Sequence, residues 1–171
     1  MSKPPRVLGL HHSAWRCRNA QETRHFYEDL LGLPLIHVIP LEHVPSTGEG
    51  CSCVHLFFAM ADGSCIAFFD LGDDTAALPS PNTPAWVTHL ALRLDSMEEL
   101  ESMRRRLLAA GVEVLGPTDH HFVQSIYFFD PNGIRLELTV PTVGAAQLDT
   151  YRTQAHSLLE QWNRARAGRT L

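Results

Sequence analysis

His12, His89 and Glu137 are the side chains whose types and positions could do chemistry together. In His12-Ser13-Ala14-Trp15-Arg16-Cys17 and in His89-Leu90-Ala91-Leu92-Arg93-Leu94 a histidine opens a run of strand character. Asn19 or Ser96 follows, and a helix-like stretch then ends at Gly32 or Gly111. Glu137 lies on the last strand of the second copy. Two imidazoles and one carboxylate gathered by a duplicated unit make a facial ligand set for a divalent metal, with positions left open for substrate.

Strand alternation separates these residues from the other histidines. Leu90, Leu92 and Leu94 form an apolar face, so His89, Ala91 and Arg93 share the opposite one. His12, Ala14 and Arg16 match that face in the first half, and His11 is expected to point away from it. On the last strand Arg135, Glu137 and Thr139 lie opposite Ile134, Leu136 and Leu138. A carboxylate in such a setting needs a partner, because burying it bare is costly. The bland alternative makes His12 and His89 ordinary core histidines and pairs Glu137 with Arg16 or Arg93. Three matched positions in a duplicated frame favour the metal.

The elements that must position them read strand, helix and three strands, twice. In the first half these are about 7–17, 20–31, 35–43, 53–61 and 64–71. In the second they are about 86–94, 97–110, 113–118, 123–129 and 134–140. Overlaid on the histidines, Leu30 falls on Leu107 and Leu31 on Leu108, while the last strands superpose with Gly63 on Gly133. Asp62-Gly63 and Asp130-Pro131-Asn132-Gly133 are hairpin signals. Asn19 and Ser96 are expected N-caps, and Gly32 and Gly111 fit C-cap positions. Gly72–Ala85, rich in Asp, Pro and Ser, reads as the linker between halves. A final amphipathic helix is expected over 145–167, with Leu148, Tyr151, Ala155, Leu158, Leu159 and Trp162 at helical spacing.

Composition bounds the partners. The 171 residues, 44% hydrophobic and 19% charged, are expected to form one globular domain spanning 1–171, with modules at about 7–71 and 86–140. A net charge of −5 without a long basic run argues against nucleic acid. No apolar run suggests a membrane span or a signal segment, so the expected location is cytoplasmic. Cys17, Cys51, Cys53 and Cys65 include no C-x-x-C pair, and Cys51 and Cys53 are expected to be buried free thiols rather than a Zn site with His55.

The chain resembles the vicinal oxygen chelate superfamily, which includes glyoxalase I, bleomycin- and fosfomycin-resistance proteins, epimerases and extradiol catechol dioxygenases. The resemblance covers roughly 7–140. It rests on His12 with Phe26-Tyr27-x-x-Leu30-Leu31-Gly32-Leu33, on His89, and on Tyr127-Phe128-Phe129-Asp130-Pro131-Asn132-Gly133-Ile134-Arg135-Leu136-Glu137. It implies an α+β fold in which two paired βαβββ modules form a curled eight-stranded mixed sheet around a metal cleft, here with an added C-terminal helix. Glyoxalase I and the epimerases use four protein ligands. Here the first-half position matching Glu137 is Ala67, so three remain, as in extradiol dioxygenases and fosfomycin-resistance enzymes.

Tyr127 stands where extradiol enzymes carry a tyrosine that hydrogen-bonds the catechol. The position of their acid–base histidine holds Ser64, which leaves His55, His120 and His121 as candidates for that role. The resemblance therefore implies an Fe(II) extradiol-type dioxygenase acting on a catechol-like aromatic and O₂, with Mn(II), Zn(II) or Ni(II) as other possible metals. Phe57, Phe68, Phe69 and Phe122 are available to line its pocket. The rival expectations are a glyoxalase-like lyase, isomerase or thiol-transferase, and a non-catalytic small-molecule binder. Proteins with this fold commonly dimerise, and the tail helix is expected either on its own sheet or at the contact of a homodimer.

Overall fold

Each half repeats the order strand, helix, three strands in the computed structural model, which describes residues 6–167. The first half comprises β1 (His12–Cys17), α1 (Ala20–Arg24) running into a π-helical stretch (His25–Leu30), β2 (Leu35–His43), β3 (Gly50–Ala59) and β4 (Cys65–Asp70). The second comprises β5 (Leu90–Arg93), α2 (Met97–Ala109), β6 (Leu115–Asp119), β7 (Val123–Phe129) and β8 (Arg135–Pro141), and α3 (Ala145–Ala167) follows. The helix starts are capped as their sequences imply. Asn19 accepts from the Glu22 amide at 2.9 Å and Ser96 from the Glu99 amide at 3.2 Å. Gly32 and Gly111 leave the helices at φ +77° and +78°, where a side chain would be strained.

Two differences from the sequence reading bear on the site. The strands expected to begin near residues 7 and 86 begin at His12 and Leu90; Val87 instead closes a turn onto the Pro84 carbonyl at 3.0 Å. The eight strands form two four-stranded sheets, ordered β1-β4-β3-β2 and β5-β8-β7-β6, rather than one continuous curl. In each, the first and last strands of the module pair in parallel and the other pairings are antiparallel.

The halves join through their apolar faces. One cluster of buried side chains takes in Leu56, Phe58, Ile66 and Phe68 from the first sheet and Ile126, Phe128, Leu136 and Leu138 from the second. Phe26 and Tyr27 lie between them, Tyr27 packing 4.8 Å from Phe68 and Phe26 packing 6.3 Å from Phe128, ring centre to ring centre. Polar bonds cross the same boundary. The Tyr27 hydroxyl donates to Asp130 at 3.0 Å, the Arg18 amide donates to Asn132 at 3.0 Å, and Asn132 donates to Thr23 at 3.2 Å. Burial pushes the Asp130 carboxyl up, against the bonds it accepts from Ile134, Asn132 and Tyr27. Because alternate residues face this core, the His12 face and the Glu137 face are both turned away from it.

The α3 helix has the expected bounds. Every described side chain from Ala145 to Arg164 is exposed, including Leu148, Leu158 and Leu159. Tyr151 meets Phe122 edge-on at 6.3 Å. The helix does not bury its apolar stripe on its own sheet. Among the described residues, no helix is long and apolar enough to cross a membrane.

Candidate functional site

The second sheet assembles a polar cluster. Parallel pairing of Leu90 with Leu136 and of Ala91 with Glu137 sets His89, one residue before β5, beside the carboxylate in mid-β8. His89 Nδ1 lies 3.0 Å from the Val87 carbonyl oxygen, which can only accept, so this nitrogen carries a proton. The ring's Nε2 stands 3.1 Å from Glu137 Oε2. At that distance a proton on Nε2 or a cation between the two atoms joins them. The other carboxylate oxygen accepts from the Ser125 hydroxyl at 2.5 Å, and Glu137 is only 6% exposed.

Neither arginine proposed as an alternative partner reaches Glu137. Arg16 pairs with Asp73 and donates to the Thr75 carbonyl at 2.7 Å, whereas Arg93 lies 3.8 Å from Asp95. Tyr127, opposite Glu137 across β7 and β8, shares a 2.7 Å hydrogen bond with His120 Nε2, and its ring meets His89 edge-on at 6.2 Å. Burial and then the Glu137 carboxylate push the Tyr127 phenol up, with the Arg135 guanidinium opposing, so the hydroxyl keeps its proton.

The first sheet carries the other part. His12 opens β1, with its ring 6.2 Å from His55 and 5.5 Å from Phe57. His55 is buried, stacks on Phe69 at 3.7 Å, and its Nε2 has no hydrogen-bond partner among the described residues. Burial, followed by His12 and His37, lowers its pKa and keeps it neutral. His11 was expected to point away, but it lies just outside the strand, where alternation does not hold. Its Nδ1 is 2.8 Å from His12 Nδ1.

Two of the three candidate ligands therefore converge and the third does not. Among the described residues, no group of three His, Cys, Asp or Glu side chains could hold a metal ion. The donors present fit a divalent ion by their chemistry: an imidazole nitrogen and a buried carboxylate oxygen, each residue oriented by a second hydrogen bond. His12 stands on the separate first sheet.

A family model described as the Glyoxalase/Bleomycin resistance protein/Dioxygenase superfamily matches residues 9–138. The chain belongs to that superfamily. The Mn(II)- and sulfate-bound fosfomycin resistance protein FosX of Listeria monocytogenes is similar at 22% identity, covering 81% of this chain and 96% of that one, with a TM-score of 0.58. TnmS3, an antibiotic binding protein of Streptomyces sp. CB03234, is similar at 21% identity over 80% of this chain and 98% of that one, with a TM-score of 0.59. A glyoxalase/dioxygenase of Nostoc punctiforme is similar at 22% identity over 82% and 100%, with a TM-score of 0.57. At these identities the likeness is one of fold.

Within this glyoxalase-superfamily frame the remaining candidates divide between the sheets. Tyr127 and His120 join His89 and Glu137, and His55 joins His12. His121, exposed at φ +70°, makes a turn in which its amide donates to Asp119. His120 is half-buried and bonded to Tyr127. Of the pocket candidates, Phe68 is wholly in the core and Phe122 meets α3, while Phe57 and Phe69 share the His12 face. All four cysteines are free, but only Cys17 and Cys65 are buried; Cys51 and Cys53 are half-buried with sulfurs 3.4 Å apart. The sequence reading assigned no role to Ser125. Its signal was register, since Ser125 lies on the Tyr127 face two residues away.

Proposed function

We propose that the protein is a divalent-metal enzyme acting on a small molecule that presents two adjacent oxygens. His89 and Glu137 would hold the ion with His12 of the partner subunit, in a homodimer that brings one copy's first sheet against the other's second. The observation carrying this reading is the 3.1 Å approach of His89 Nε2 to the buried Glu137 carboxylate, which pairs with no arginine among the described residues. The outward-turned His12 face and the exposed stripe of α3 support a second copy as the remaining contributor.

The narrower reading is extradiol-type cleavage of a catechol-like aromatic. When bound, Fe(II), or Mn(II) in its place, would supply a Lewis acid for the catecholate and a path for its electrons to O₂. The chain's own part is orientation and proton handling. The protonated Tyr127 hydroxyl donates to a substrate oxygen, and His120, 2.7 Å behind it, passes a proton to or from that position. Ser125 keeps the carboxylate facing His89. With Ala67 at the place of a fourth ligand, the site has three protein donors and room for a chelating substrate.

A second reading is non-oxidative lyase, isomerase or thiol-transferase chemistry on Mn(II), Zn(II) or Ni(II), favoured by the similarity to Mn(II)-bound FosX. Anaerobic reconstitution with Fe(II), then a catechol panel followed by oxygen uptake, separates the two. Oxygen consumption with a yellow ring-cleavage product supports the dioxygenase. Metal binding without oxygen consumption for any catechol contradicts it and leaves the second reading.

A further inference from the structure

Arg135 is a half-buried cation with no carboxylate partner among the described residues. Its Nη1 donates to the Trp86 carbonyl at 2.7 Å, and its guanidinium carbon lies 4.2 Å above the Tyr127 ring. The arginines at related places on strand faces are paired, Arg16 with Asp73 and Arg93 with Asp95. A guanidinium offers five N–H donors in a rigid plane, and removing it from water without a counter-ion is costly. This one lies two residues before Glu137 on the same face of β8.

Two cavities meet at this side chain. One, of about 370 Å³, is walled by Trp15, Leu78, Phe129 and Ile134, with linker residues from Ala77 to Ala85 closing one side and His89 in its lining. The other, of about 430 Å³, lies between Trp86, Leu115, Tyr127 and Phe129. Each is large enough for a small organic ligand, and Arg135 lines both. Both are built from a single chain.

We infer that Arg135 is the recognition residue for a substrate carboxylate, so that the site takes a small amphipathic acid whose aryl or alkyl body fills the apolar cavity under the linker. The planar guanidinium matches a carboxylate through paired N–H bonds, and the Tyr127 ring and the Trp86 carbonyl hold the fork in place. Trp15, Leu78, Phe129 and Ile134 supply the apolar wall. The inference names the substrate class of the proposed metal site and rests on that reading for which end reacts. Recognition of the acid itself needs no metal.

Calorimetric titration with 3-phenylpropionate and with the uncharged 3-phenylpropionamide tests it on the full-length protein, with and without Mn(II). The acid is expected to bind about tenfold or more tighter than the amide, as charge-assisted hydrogen bonds require. Arg135→Gln is expected to erase that preference. Leu78→Asp, at an exposed linker position, should weaken the acid more than the amide and guards against misfolding of the first variant. Equal affinity for acid and amide in the unsubstituted protein, or a preference that survives both substitutions, overturns the inference. Mn(II) titration of the same samples keeps the two proposals apart. Acid preference without Mn(II) binding overturns the metal reading and leaves this one, whereas Mn(II) binding without acid preference does the reverse.

Discussion

The two sheets present the same framework with unlike polar faces. On the second, His89 and Ser125 contact the buried carboxylate of Glu137, and Tyr127 across the strand from it bonds His120. On the first, Ala67 replaces the carboxylate, Phe57 replaces the tyrosine and His55 replaces the serine, leaving imidazoles stacked on aromatic rings. Overlaid copies thus differ where chemistry would happen and agree where packing does. The second half supplies charge and oriented donors, and the first supplies imidazoles and an apolar wall. Duplication built a symmetric shell, and substitution made the halves complementary rather than redundant.

The largest effect expected from breaking that complementarity is on metal affinity. Glu137→Ala should weaken Mn(II) binding by at least ~100-fold, because loss of an outer-shell partner alone costs roughly 10–100-fold. Calorimetric titration checks it, and affinity within a few-fold of the parent would remove Glu137 from the ligand set. Ala67→Ser, at the equivalent place on the first sheet, should leave Mn(II) affinity unchanged in the same titration.

Next in size is the seam between the halves. Asp130→Ala removes the acceptor for Tyr27 and for the Ile134 and Asn132 amides, and should cost about 2–4 kcal/mol in urea unfolding, as stranding buried donors does. A loss below 0.5 kcal/mol would mean that the apolar contacts alone hold the halves together. Gly116→Ala acts on the second sheet only. Gly116 has φ +106°, and an added Cβ would stand 2.6 Å from the Ser125 carbonyl oxygen, on the strand that orients Glu137. A cost of about 1–3 kcal/mol is expected.

Tyr127→Phe should leave Mn(II) binding intact and slow turnover of a catechol about tenfold, the value of one hydrogen bond in a dry site. An unchanged rate would reduce Tyr127 to packing.

The smallest effect is on pH dependence. Burial pushes the Cys17 thiol from 9.0 up to about 11. The folded state holds this proton more tightly, so the contribution is complete below about pH 9 and fades as pH rises toward 11. Thiol labelling at pH 8 should modify Cys51 and Cys53 while sparing Cys17, and Cys17→Ala should flatten the alkaline limb of stability.

Much of this was legible in the chain because local rules govern it. Period-two alternation put Glu137 on the face opposite Leu136 and Leu138, Asn19 and Ser96 marked helix starts, and Asp130-Pro131-Asn132-Gly133 marked its turn. The bounds of α3 also followed from its apolar period. What alternation cannot give is how two similar modules face each other, since that depends on which apolar surfaces pack. Phe26 and Tyr27 take the shared core, so His12 and His89 are turned outward on different sheets. His11 escaped the rule by lying outside its strand. Asp130 and Asn132 looked like turn residues only, because their bonds to Tyr27, Arg18 and Thr23 join distant parts of the chain. The cavity walls contributed by the linker were invisible for the same reason.

The central claim is that a complete site takes His12 from one copy and His89 with Glu137 from another. Purified heterodimers of His12→Ala and Glu137→Ala chains, carrying different affinity tags, test it by Mn(II) stoichiometry. If the ligands come from separate copies, each heterodimer contains one intact site and one lacking two ligands, so one Mn(II) per heterodimer is expected, with none in either parent homodimer. If the three ligands belong to a single chain, every site in the heterodimer is damaged, and no tightly bound Mn(II) would contradict the account.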